Sequence, residues 1–194
     1  MRTILLFGDS IAEGYNAPQM EGWAYHLKKF IEERDTEAQL INLAKAEEMT
    51  PILLSHMEAD LEKYKPEEVI VAIGINDAAY SFKDHRSRTP REKFEENVTA
   101  IIELAQKYVK KVIVVGLTNV DEKGSTFSLD DNTVIQYQNI VIQRFNDSLK
   151  GIASLKQVGF IDVYGALDES ELPDGLHPNK EGHEKLYKVI QQHV

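Results

Sequence analysis

Two stretches of this 194-residue chain, Val69-Ile70-Val71-Ala72-Ile73 and Val112-Ile113-Val114-Val115, are apolar without alternation. A strand with one face in water alternates apolar and polar residues. A run that does not alternate has both faces covered, which is the condition of a parallel strand held between layers of helix. Five such runs of strand length are read here: Thr3–Phe7, Gln39–Leu43, Glu68–Ile73, Lys111–Gly116 and Val158–Val163.

Helical patterns separate them. Trp23, Leu27, Phe30 and Ile31 recur at helical spacing after the first run. Thr50-Pro51 puts proline at the first helical position of a second helix, in which Leu53, Met57, Leu61 and Tyr64 share a face. Thr89-Pro90-Arg91-Glu92 reads as a capping box, opening a helix striped by Phe94, Val98, Ile101, Ala105 and Val109. Asp131 or Asn132 is expected to cap a fourth helix carrying Val134, Tyr137, Val141 and Phe145. His177-Pro178 is expected to start the last, with Leu186, Val189 and Ile190 facing inward. Strand and helix alternating five times predict one α/β domain over residues 1–194: a three-layer α/β/α sandwich on a five-stranded parallel sheet with right-handed crossovers. Two connections exceed what joining elements requires, 78–88 and 117–130. Both leave carboxyl ends of strands, where they are expected to wall a pocket.

Composition narrows the function classes. The absence of cysteine excludes disulfides, thiolate metal sites and a cysteine nucleophile. A net charge of −10, from 22 basic and 32 acidic residues, speaks against nucleic acid as a partner. No long apolar segment is present. The expectation is therefore no stable membrane association, no signal peptide and a cytoplasmic protein.

The polar residues that follow the strands carry the chemistry. Gly8-Asp9-Ser10 ends the first, Asn42-Leu43-Ala44 the second and Gly74-Ile75-Asn76-Asp77 the third, while Asp174-Gly175-Leu176-His177-Pro178 precedes the last helix. In a parallel sheet all of these meet along one rim. A serine hydroxyl needs a base within hydrogen-bond reach, and His177 can be that base for Ser10. Asp174, three residues before His177 in a tight turn, can hold the imidazole in one tautomer. The side-chain amide of Asn76 and the backbone N–H groups of Ser10 and Ala44 are the expected donors to a developing oxyanion. Asp9 and Asp77 are expected to stabilise turns. Tyr15, Tyr80 and Phe127 are candidates for an apolar wall, and Trp23 for the core. His26, His56 and His85 read as structural or solvated. His183 and His193, near Glu181 and Glu184, lack the spacing to a third metal ligand.

Gly8-Asp9-Ser10, Gly74-x-Asn76-Asp77 and Asp174-x-x-His177-Pro178, in this order and spacing, resemble the SGNH hydrolases, also called the GDSL esterase/lipase family, across nearly the whole chain. The resemblance implies a flavodoxin-like sheet, Ser10 as nucleophile, His177 as base, Asp174 as its orienting acid, and an oxyanion hole from Ser10, Ala44 and Asn76. It implies no metal or organic cofactor, and a small-molecule ester as substrate. The chain departs from the family where a glycine is usual two residues after Asn42. Ala44 stands there, and its φ is expected to be negative. The leading expectation is hydrolysis of short-acyl carboxylic esters, O-acetylated carbohydrates among them. Lysophospholipid or thioester hydrolysis, acyl transfer, and a non-catalytic flavodoxin-like binding module remain the alternatives. Against the last, Phe7–Gly14 lacks a glycine-rich phosphate cradle. Oligomeric state is not readable from the sequence.

Overall fold

A computed structural model describes residues 2–194. Its main sheet is parallel throughout and contains β1 (Arg2–Gly8), β2 (Ala38–Asn42), β3 (Glu68–Ala72), β6 (Lys111–Val115) and β9 (Gly159–Ile161), in spatial order β2-β1-β3-β6-β9. The five apolar runs are these five strands, each end within two residues. Among parallel strands this is the order 2-1-3-4-5, which reverses direction between β1 and β3. The polypeptides leaving those two strands diverge to opposite sides of the sheet, so a crevice opens at their carboxyl ends. Ser10 follows β1 and Asn76 follows β3.

The helices of the sandwich are α2 (Trp23–Arg34), α3 (Thr50–Tyr64), α5 (Arg91–Tyr108), α6 (Asn139–Leu155) and α7 (Lys180–Ile190). Alternate residues of β1 enter different cores. Ile4 and Leu6 pack with Trp23, Leu27 and Ile31 of α2 and with Leu186 and Ile190 of α7. Leu5 and Phe7 pack with Leu53, Met57 and Leu61 of α3 and with Ile101 and Ala105 of α5. All four β1 side chains are fully buried. This double burial is why the central runs do not alternate.

Two single-turn helices, α1 (Ser10–Glu13) and α4 (Ile75–Ala78), sit where β1 and β3 end. Close approach fixes a glycine before each. A Cβ on Gly8 would lie 2.6 Å from the Ala12 Cβ and 2.7 Å from the Ala72 carbonyl oxygen. Gly74 has φ +128°, where a side chain is strained, and a Cβ there would meet the Phe94 ring at 2.8 Å.

The structure corrects two expectations and adds a pairing. Residues 126–136 form no helix. They form an antiparallel hairpin of β7 (Thr126–Asp130) and β8 (Thr133–Gln136), with Asp131-Asn132 as its turn, and α6 starts only at Asn139. The two long connections, besides walling the cleft, pair with each other. The first contains β4 (Tyr80–Ser81) and β5 (Arg86–Ser87), and β4 pairs with β8, making a second sheet of order β5-β4-β8-β7 above the rim. Finally, Thr89 does not cap α5, whose N-cap is Pro90 without a side-chain bond. The Thr89 hydroxyl and N–H go instead to Asp77. Proline at that position fixes the entry to α5 and leaves the threonine free to bond elsewhere.

Candidate active site

The candidate catalytic side chains are placed by short local devices. The Asp9 carboxylate accepts the Ile11 N–H at 3.0 Å as N-cap of α1, which orients Ser10 at the first helical position. Burial pushes the Asp9 carboxyl up to about 7, opposed by that N–H and by the field of His177. At the far end of the chain, Gly175 adopts φ +84°, and its backbone lies against Gly124 so closely that a Cβ would meet the Gly124 carbonyl carbon at 2.4 Å. The Asp121 N–H donates to the Gly175 carbonyl at 2.9 Å. The turn bearing Asp174 and His177 is thereby moored to the connection after β6.

From these two ends the side chains meet. Ser10 Oγ lies 2.9 Å from His177 Nε2, across 167 residues of sequence. His177 Nδ1 lies 2.8 Å from Asp174 Oδ2. A carboxylate only accepts, so Nδ1 carries the proton and Nε2 presents its lone pair to the serine hydroxyl. Burial raises the Asp174 proton affinity, but donors outweigh it: the His177 ring and the N–H groups of His177 and Leu176 hold the carboxyl well below the usual range. A further donor was not foreseen from the sequence. Asn16 Nδ2 reaches the same Asp174 Oδ2 at 2.9 Å. Asn16 has φ 64°, a conformation asparagine tolerates better than most residues.

Asn76 is buried at the same rim. Its Nδ2 donates one proton to the Glu48 carbonyl at 3.0 Å, and its Oδ1 accepts from the Tyr137 hydroxyl at 2.8 Å. The two contacts fix the amide's orientation and leave one N–H for the cleft. Tyr137, just after β8, is thus part of the site's support. Asp77 acts at a distance from its own turn. It accepts from the Thr50 N–H at 3.0 Å and the Thr50 hydroxyl at 2.6 Å, supplying the N-terminus of α3 with the cap that Met49 lacks.

Ala44 is a correction. Its φ is not positive, as expected, but its N–H donates to Asn42 Oδ1 at 3.0 Å and it is not among the residues lining the cleft. Asn42 also donates to the Ala12 carbonyl, so the turn after β2 closes on itself and on α1. The left-handed position comes later, at Glu47 with φ 60°. Ala46 and Glu47 both line the cleft, and neither N–H finds an acceptor among the described residues. The Ser10 N–H is likewise without one. No glycine marks this bend in the sequence, so nothing there signalled that the usable N–H groups lie two to three residues beyond Ala44.

The cleft has a volume of about 240 Å³. Tyr15, Phe127, Leu129, Ile135, Tyr137 and Leu176 give it an apolar wall, and Glu47, Arg88 and Asp174 bring charge. The Tyr15 ring lies 4.5 Å from the His177 ring, and Phe127 stands edge-on to Tyr137 at 5.8 Å. Tyr80 turns instead toward Phe82, and Trp23 is buried in the core. Of the other histidines, His85 is in the exposed β4–β5 turn and His56 lies between Glu48 and Asp60. His183 is fully buried. Its Nδ1 accepts the Trp23 N–H and its Nε2–H donates to the Tyr15 carbonyl, tying down the segment that carries Tyr15 and Asn16. Among the described residues no group of three or more His, Asp or Glu is arranged to hold a metal ion.

Fold and site together define an α/β protein with a base-paired serine hydroxyl at the switch point of its sheet. Residues 6–185 match the family model of the GDSL-like lipase/acylhydrolase family, and the chain belongs to that family. It is a carboxylic ester hydrolase. The chain is similar to an arylesterase of Vibrio mimicus, 22% identical over 195 residues, covering 98% of this chain and 87% of that protein. It is 27% identical over 138 residues to a multidomain esterase of Ruminococcus flavefaciens, a match that covers 69% of this chain but spans only 16% of that protein. Its fold is similar to the crystal structure of the lipase/acylhydrolase from Enterococcus faecalis, with a TM-score of 0.79 at 24% identity, covering 99% of this chain and 94% of that one.

Proposed function

We propose that the chain hydrolyses short-acyl carboxylic esters through an acyl-enzyme on Ser10. The observation that carries this reading is the continuous relay of hydrogen bonds from Ser10 Oγ through His177 to Asp174, at 2.9 and 2.8 Å. Ser10 Oγ attacks the ester carbonyl as its proton passes to His177 Nε2. The carbonyl oxygen becomes an oxyanion, met by the free Asn76 N–H, the Ser10 N–H and an N–H from the Ala46–Glu47 bend. As the tetrahedral species collapses, His177 returns the proton to the departing alcohol. Water then attacks the acyl-serine, with His177 again as base, and frees the acid.

The short-acyl part rests on space. A cleft of about 240 Å³ is below the usual range for drug-sized ligands, and each methylene added to an acyl chain gains about 0.8 kcal/mol only if apolar wall remains to receive it. An O-acetylated carbohydrate fits this reading as one such ester.

A fluorophosphonate probe tests the nucleophile. The folded protein should be labelled at Ser10, and Ser10→Ala should lose both label and turnover. Folded wild-type protein that resists the probe would sink the acyl-enzyme. A series of p-nitrophenyl esters from acetate to palmitate tests chain length. The specificity constant kcat/KM should peak at or below about butanoate to hexanoate, and a rise beyond octanoate would overturn the short-acyl reading.

A further inference from the structure

Arg88 is the cation of the cleft, and nothing in the reaction above uses it. It follows β5 directly, at the end of the connection that leaves β3. Its backbone N–H donates to the Ala79 carbonyl at 2.8 Å, and the next residue's N–H donates to the Asp77 carbonyl at 3.1 Å. The side chain is thus launched from a fixed point beside the Asn76 turn, and it lines the cleft with Ser10, Tyr137 and His177.

Its guanidinium makes no hydrogen bond and no ion pair with any described residue, and Nη1 is shut off from solvent without an acceptor. In a chain with 32 acidic and 22 basic residues, partners are not scarce. Arg2 and Lys111 share the buried carboxylate of Glu68, and Lys185 holds that of Asp168 on the surface. The carboxylate whose field Arg88 most clearly reaches is that of Asp77, and both oxygens of Asp77 are already engaged by Thr50. A guanidinium partly withdrawn from water without an acceptor is unfavourable, and the cleft that this side chain lines is the side from which an acceptor can reach its remaining N–H groups.

A planar fork of N–H donors matches a carboxylate or a phosphate with two parallel bonds. The surroundings choose between them. Glu47 and Asp174 line the same cleft, and this acidic setting opposes a dianion more than a monoanion. We propose that Arg88 is an anion subsite beside the nucleophile, and that the preferred esters carry a carboxylate on their acyl or their alcohol part. This deepens the esterase reading and rests on it.

The test compares matched esters. With the anion on the alcohol side the pair is 4-acetoxybenzoate and its methyl ester. With the anion on the acyl side it is ethyl hydrogen glutarate and ethyl methyl glutarate. Wild-type kcat/KM should favour the charged member of at least one pair by about tenfold or more, the effect of one charge-assisted bond at a partly exposed site. In Arg88→Gln that ratio should collapse to within about twofold, and Arg88→Lys should recover part of it. A wild-type preference for the neutral member of both pairs overturns the proposal, as does a charged preference that survives Arg88→Gln. Should Arg88→Gln not fold, inhibition of the wild type decides. 4-Hydroxybenzoate or glutarate should compete with a neutral ester while 4-hydroxybenzamide and glutaramide do not, and inorganic phosphate inhibiting more strongly than either acid overturns the choice of carboxylate. Turnover retained by Ser10→Ala would mark failure of the Ser10 acyl-enzyme reading, independently of Arg88.

Discussion

At the scale of single residues the site depends on a few fixed protons. Asp174→Asn leaves the imidazole of His177 without a carboxylate to select its tautomer, and kcat should fall by about 10⁴-fold with the protein still folded. Asn16→Ala removes one exposed donor of several to the same carboxylate. It should lower kcat by less than about tenfold, since the His177 ring and two backbone N–H groups still hold Asp174. On the mechanism proposed above, in which the free Asn76 N–H meets charge that exists only in the transition state, Asn76→Ala should lower kcat by about 10² to 10³ with little change in KM. Tyr137→Phe should lower it less, by loosening the amide rather than deleting it. Steady-state kinetics on one p-nitrophenyl ester check all four, and their ranking matters more than any single value.

At the scale of elements, the bend between β2 and α3 is the informative piece. A non-glycine residue in the left-handed region costs about 1 kcal/mol, and Glu47 is held there at φ 60°. Glu47→Gly should therefore raise the unfolding free energy by about 1 kcal/mol. Ala44→Gly, at a position without positive φ, should lower it by about 0.5 to 1 kcal/mol. Urea unfolding of the two variants tests that the left-handed residue is Glu47 and not Ala44, and equal shifts would contradict it. The β7–β8 hairpin was legible after all. Thr126-Phe127-Ser128-Leu129 alternates and Asp131-Asn132 is a turn pair, both ordinary strand signals. They were outweighed by a helical stripe that Val134 and Tyr137 complete only by accident. What makes the hairpin stable is the pairing of β4 with β8, a contact between segments more than fifty residues apart.

At the scale of the molecule, two buried groups pull stability in opposite directions with pH. The folded pKa of Asp9, about 7, lies above its unfolded value near 3.8. The native state then holds the extra proton, and stability falls as pH rises between those values, by on the order of 4 kcal/mol. Burial lowers His183 from 6.5 to about 4. There the unfolded chain holds the extra proton, and stability falls as pH drops from 6.5 toward 4, by on the order of 3 kcal/mol. In the wild type the two slopes oppose each other. Asp9→Asn keeps the cap of α1 but removes the first, so its stability should drop by about 3 kcal/mol between pH 7 and 4.5 while the wild type changes much less. Urea titrations at the two pH values check this, and a flat variant would show that His183 takes up its proton in the folded state as well.

The sequence by itself determined the sheet and the residues that end its strands. Unbroken apolar runs admit no arrangement other than burial on both faces, and a parallel sheet brings Ser10, Asn76, Asp174 and His177 to one rim from wherever they stand in the chain. It did not determine which N–H groups face the cleft, because left-handed backbone at Glu47 leaves no mark when the residue is not glycine. Nor could it place Tyr137, Asn16 or Arg88 in the site. Tyr137 and Asn16 get there through pairings distant in sequence, and a free donor such as Arg88 is recognised only once every nearby acceptor has been accounted for in space.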